Sequence, residues 1–125
     1  MQPWLPRVGQ PLPRASEAVG IRRKLLLYSL DMTNQFGRHK AVGFERILGI
    51  TINDIDYLET AIREGVTAAP VRATRDRAPY GVNAVVEVPV RGLRGKRDRV
   101  VRVRTVWRLA GPGRAPQLTT AFPKP

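Results

Sequence analysis

The chain has 125 residues with 22 basic and 10 acidic side chains, a net charge of +12, which leaves room for one compact domain with a single core and a tail. Its 42% hydrophobic share excludes wholesale disorder, and no apolar run approaches the roughly 20 residues of a membrane span. The absence of cysteine excludes a disulfide framework and a thiolate metal site, and one histidine, His39, speaks against a zinc centre, so neither metal nor cofactor is expected.

Residues 1–15 hold four prolines and read as an extended leader or linker ahead of a single domain over 16–125. MQPWLPRVGQPLPRAS has no apolar stretch of the secretory kind, so the cytoplasm is the default expectation. Ser16 and Glu17 offer a helix start, and the pattern SEAVGIRRKLLLYSL predicts a helix to about residue 30. A second helix is predicted over 38–48 and closed by Gly49. A third, in TINDIDYLETAIREG, has cap candidates Thr51 and Asn53, an apolar stripe of Ile55, Leu58 and Ile62, and a stop at Gly65. Residues 66–79 read as a loop containing Arg72, Arg75 and Arg77. The period then changes from 3.6 to 2. YGVNAVVEVPV, RVVRVRTVWRL and QLTTAF are three candidate strands, joined by the glycine-rich connections GLRGKRD and GPGRAP. Helices followed by a meander give an α+β class, with two to three N-terminal helices on one face of a C-terminal antiparallel sheet.

Alternation assigns the sheet faces. In VVRVRTVWRL, Val101, Val103, Thr105, Trp107 and Leu109 form an apolar side, and Arg102, Arg104 and Arg108 lie opposite with Val100 and Val106. In the preceding strand Val82, Ala84, Val86, Val88 and Val90 face the core, leaving Asn83, Val85 and Glu87 on the other side. In the last strand Leu118, Thr120 and Phe122 are expected inside, with Gln117 and Thr119 outside. Symmetric hairpins would set Arg108 opposite Thr119 and Glu87 opposite Arg102 or Arg104. A buried lone arginine costs several kcal/mol, so the arginine side is expected to be open or paired.

The charge is concentrated there. Between Arg91 and Arg108 lie eight basic residues and one acid, Asp98, giving +7 of the total +12. An arginine patch of this density points to a polyanion, RNA above all, because the planar guanidinium donates two parallel hydrogen bonds to phosphate. Arginine makes up 18 of the 22 basic residues, a bias that a GC-rich genome also produces. The expected nucleic-acid contacts are Arg102 and Arg108 on the strand with Arg91, Arg94, Lys96, Arg97 and Arg99 on the connection before it. Metal-free RNA cleavage needs a base for the 2′-hydroxyl, a cation for the phosphorane and an acid for the leaving oxygen. Glu87 and His39 are candidates for base or acid, Arg102 and Arg104 for phosphate stabilisation, and Thr119 for positioning. The plainer alternatives are a cross-strand ion pair for Glu87, a solvated helix residue for His39 and strand propensity for Thr119. Lys40 sits at the border of the second helix's buried stripe, where it can reach the sheet edge or simply flank the helix.

The order LLLYSL, GRHKA, YG, VRTVWRL and LTTAFP resembles a family of small uncharacterised bacterial domains carrying GR-x-KA, V-R-T-x-W and T-A-F/Y-P motifs. Domains of this shape are similar to the barnase–EndoU–colicin–RelE group of metal-independent ribonuclease toxins. The resemblance implies a site on the open sheet face that draws on Lys40, Arg104, Thr105 and Thr120. It also implies delivery as an effector and an acidic immunity protein as partner. Thr105 and Thr120 conflict with the face assignment, which buries both and exposes Thr119. The reading that results is a ribonuclease-like toxin domain binding RNA. The alternatives are a non-enzymatic nucleic-acid-binding module and a basic patch for an acidic protein partner.

Overall fold

The structure, a computed structural model, describes residues 6–111 and 113–125; residues 1–5 of the leader and Pro112 of the GPGRAP connection lie outside the described residues. Helix α1 (Ile21–Lys24) continues as a π-helical turn over Leu25–Ser29. Helix α2 (Arg38–Gly43) continues likewise over Phe44–Leu48, and α3 spans Ile55–Ala68. Four strands follow, β1 (Val71–Asp76), β2 (Val82–Arg91), β3 (Val100–Leu109) and β4 (Gln117–Lys124), paired antiparallel in the order β1-β2-β3-β4. The protein is thus α+β, with helices preceding a meander sheet.

Three local expectations are corrected. The first helix begins at Ile21 rather than near Ser16. Ser16 and Glu17 belong to a separate 3-10 turn, and Val19 then bonds the start of β4, its N–H donating to the Pro116 carbonyl and its carbonyl accepting from Leu118. Gly20, at φ +79, turns the chain from that contact into the helix. Residues 66–79 are the end of α3 plus a whole strand, β1, rather than a loop. An edge strand with only Val71 buried and a bulge at Arg72 shows no apolar alternation to read. The proline-rich stretch is extended but docked from Pro6 onward, where Gly9 N–H bonds the Val71 carbonyl, Val71 N–H bonds Gln10, and Leu12 is buried.

Thr51 caps the 3-10 turn Ile52–Asp54 that leads into α3 through a reciprocal box, its hydroxyl accepting from Asn53 N–H while Asp54 Oδ2 accepts from Thr51 N–H at 2.9 Å. The helix turns Ile55, Leu58, Ile62 and Val66 onto the sheet, beside Ile21, Leu25, Phe44 and Leu48. The sheet answers with Ala84, Val86, Val88, Val90, Val103, Trp107 and Leu109, all on the face assigned to the core. Trp107 is fully buried, and its indole N–H donates to Thr105 Oγ1 at 2.8 Å, which donates in turn to the Val86 carbonyl at 2.7 Å. This chain crosses from β3 to β2 inside the core and holds their register, in which Glu87 opposes Arg104.

Strand β4 breaks the simple alternation. It pairs Trp107 with Leu118 but Val106 with Thr120, so Thr119 is an extra residue in a bulge, and its hydroxyl donates to the Val106 carbonyl at 3.0 Å. Beyond the bulge the parity inverts. Ala121 and Pro123 turn inward, opposite Thr105 and Val103, and Thr120, Phe122 and Lys124 share the side of the arginines. The expectation that Thr120 and Phe122 are inside and Thr119 freely outside is therefore corrected, as is the pairing of Arg108, which opposes Gln117.

Replacing Thr105 by valine keeps the volume and strands the indole N–H in the core. The expected loss is about 1–3 kcal/mol, read as a lower urea midpoint at unchanged slope.

Candidate functional site

The face of the sheet turned away from the helices carries side chains in cross-strand rows. Pro89, Arg102 and Lys124 form one row, and Glu87, Arg104 and Phe122 the next. Val85, Val106 and Thr120 follow, then Asn83, Arg108 and Gln117. Neighbours within a row are about 5 Å apart and successive rows about 7 Å apart, as the strand spacing and rise require. Strand β1 adds Arg72, Ala73 and Arg75 along the edge of β2.

Glu87 is the centre of this face, with only 7% of its side-chain surface exposed. Four cations surround its carboxylate, Arg104 at 3.6 Å, Arg72 at 3.7 Å, Arg102 at 3.8 Å and Lys124 at 4.0 Å. Each approaches it without closing to hydrogen-bond distance. Arg104 Nε is buried and has no hydrogen-bond partner. Above the ring lies an open concavity of about 780 Å³. Four positive charges around one negative leave the ring at +3.

The arginines of the preceding connection are engaged differently. Arg94 forks onto Asp54 at 2.8 and 3.0 Å and also donates to the Gly49 carbonyl at 2.7 Å, which holds the Asp54 carboxyl below the usual carboxylate range. The left-handed Gly49 (φ +67) is required there, because a Cβ would stand 2.6 Å from the Leu93 carbonyl oxygen. Arg91 donates to the Arg97 carbonyl at 2.9 Å, Arg97 to Arg94 at 3.1 Å and Arg99 to Ile47 at 3.3 Å. These residues, expected as the rim of a nucleic-acid site, fasten their own loop onto α2 and α3, with Lys96 half-buried among them. Asp56 and Glu59 on α3 pair with Arg22.

Lys40 crosses from α2 to the edge of the sheet and donates to Thr120 Oγ1 at 2.6 Å, with its Nζ 5.8 Å from the centre of the Phe122 ring. Burial, with the charge of Lys24 as a second cause, holds its ammonium below the usual lysine range. His39 is exposed beside it at a separate groove between α2 and β4. The structure thus brings Arg102, Arg104 and Glu87 together and joins Lys40 to Thr120. It keeps His39 away from the Glu87 ring, assigns Thr119 a backbone bond in the bulge, and leaves Arg108 exposed two rows from Glu87.

Sequence reasoning missed Arg72, Lys124 and Phe122. Arg72 lies in the strand read as a loop. The parity change at Thr119, which brings Phe122 and Lys124 to this face, has no marker in QLTTAF.

A family model described as "Domain of unknown function (DUF6883)" matches residues 11–125. The chain belongs to that family. The DUF6883 match takes in all three helices and all four strands, hence every residue of the Glu87 ring. No curated protein and no solved structure significantly matches the chain.

Glu87→Gln removes the one negative charge among four cations. A loss of about 1–2 kcal/mol is expected, modest because most of the partners are more than a third exposed and screened by solvent. Added inorganic phosphate is expected to raise the melting temperature of the variant more than that of the parent. For Lys40, an NMR titration should find an amine midpoint below the ordinary value of about 10.4, and Lys24→Gln should move it back upward by removing a like charge.

Proposed function

We propose that this DUF6883 domain is a metal-independent, ribonuclease-like domain that binds RNA on the open sheet face and cleaves it at the Glu87 ring. The observation that carries the reading is the contrast between two kinds of arginine. Arg94 spends its N–H groups on Asp54 and Gly49, whereas Arg72, Arg102 and Arg104 stand 3.6–3.8 Å from a carboxylate that cannot satisfy them. Donors held apart in this way, around a surplus of positive charge and under an open concavity, suit a phosphodiester that slots between them.

The chemistry follows from residue types. Glu87 takes the 2′-hydroxyl proton, and the 2′-oxygen attacks phosphorus. Arg102, Arg104 and Arg72 stabilise the charge that collects on the equatorial oxygens. Arginine does not release its proton in the accessible pH range. Lys124 is therefore the ring's own acid for the departing 5′-oxygen, in place of the more distant His39. Delivery as an effector and an acidic protein that blocks this face belong to the same reading, since such a partner would meet the +3 ring.

The test is incubation of purified protein with transfer RNA or total RNA in EDTA. Cleavage is expected for the parent and a loss of about 100-fold or more for Glu87→Gln and Arg104→Ala, in line with removal of a general base or a transition-state donor. Equal RNA stability with the parent and Arg104→Ala would end the enzyme reading. Salt-sensitive binding of DNA and RNA without products would then assign the face to a binding module.

A further inference from the structure

Resting on the reading of the open face as an RNA surface, we infer that the groove between α2 and β4 is a nucleobase subsite. There one base stacks on Phe122 while the phosphate of the same or the adjoining nucleotide lies on Arg104.

The bulge at Thr119 places an aromatic ring where alternation would have buried it. Phe122 is half-buried on the open face, directly opposite Arg104 in the row that contains Glu87. On its other side is a groove of about 290 Å³ walled by Gly43, Ile47 and Pro123, with His39 and Lys40 at its polar margin. An apolar slot with an aromatic wall and two nitrogen donors matches a heteroaromatic base, which offers a π-face to the ring and acceptor atoms at its edge. Lys40 is already oriented by its bond to Thr120, and its two remaining N–H donors are available to such acceptors.

Continuity with the Glu87 ring decides the occupant. Phe122 and Arg104 sit on adjacent strands about 5 Å apart. A ligand that fills both positions needs an anionic group joined through a short linker to a flat ring, which describes a nucleotide. An apolar peptide side chain would fill the slot and leave the guanidinium unpaired. On this account Lys40 binds the base, Thr120 positions Lys40, and neither takes part in the proton transfers.

The test compares adenosine 5′-monophosphate and uridine 5′-monophosphate with ribose 5-phosphate by NMR titration of the full chain. None of the three contains a cleavable internucleotide bond. At least one nucleotide is expected to bind about 5- to 100-fold tighter than ribose 5-phosphate, with shifts at Gly43, Ile47 and Phe122. Phe122→Leu, which keeps an apolar side chain in place, should erase the difference, and Phe122→Tyr should restore it. Equal affinity for nucleotide and sugar phosphate, no binding by any of the three, or a difference that survives Phe122→Leu would overturn the subsite. The outcome is separable from the cleavage reading. Base-dependent binding by a protein that leaves RNA intact retains the subsite and removes the enzyme, and RNA cleavage unchanged by Phe122→Leu with equal ligand affinities does the reverse.

Discussion

The register between β2 and β3 is the constraint from which the face of this sheet follows. The buried chain from Trp107 through Thr105 to the Val86 carbonyl joins the two strands inside the core, where a slip would take from the Thr105 hydroxyl its acceptor and from the Val86 carbonyl its side-chain donor. A one-residue shift would also send Val82, Val86, Val88 and Val90 outward. With that register held, Glu87 opposes Arg104, Pro89 opposes Arg102, and the outward guanidinium groups converge on one carboxylate. The polar side of the sheet is thus ordered by what happens on its apolar side, a few ångströms away through the same backbone.

The basic residues fall into two populations with different physics. Arg14 bonds Glu17 at 2.7 and 2.8 Å, Arg63 donates to the Ala18 carbonyl at 3.0 Å, and Arg94 holds Asp54 and Gly49. Arg63 and Arg94 serve as struts between segments distant in sequence, and Arg14 ties down its own 3-10 turn. The Glu87 ring is different, because one acid stands for four bases and contact stays outside hydrogen-bond range. Mutual repulsion among the cations is tolerated because three of them remain well exposed, and water lowers the cost. The ring thus holds +3 of the net charge of +12, and the rest is spread over basic side chains elsewhere on the surface.

Much of this could be read from residue order. The alternation VVRVRTVWRL sorted β3 onto its two faces, and the hairpin length placed Glu87 against an arginine. The apolar stripes of α2 and α3 emerged where their periodicity put them. What stayed hidden has specific causes. Strand β1 is an exposed edge whose only buried side chain is Val71, so no period-2 signal exists. The start of α1 was displaced by a tertiary contact, Val19 on the edge of β4, which local propensity cannot register. In the site, Arg102, Arg104 and Glu87 were visible from parity alone. Lys124 and Phe122 depended on the bulge, and Arg72 on a strand that was not recognised. The expected rim of Arg91, Arg94, Lys96, Arg97 and Arg99 has the right charge, and the bonds that its four arginines also make to carbonyls and to Asp54 could not be foreseen from residue order.

The bulge at Thr119 makes β4 a strand written in two phases. Upstream of it, Leu118 is the inward residue; downstream, Ala121 and Pro123 are. Tolerance to polar replacement must therefore switch from odd to even positions within a span of three residues. A strand of this length paired one-to-one, without the bulge, would have to choose which half to keep in phase. It would bury Leu118 and drive Phe122 and Lys124 into the helical layer, or preserve the outer face and expel the leucine. The two-against-one pairing at this position, more than the identity of any side chain around it, is what couples a solid interior to a charged exterior.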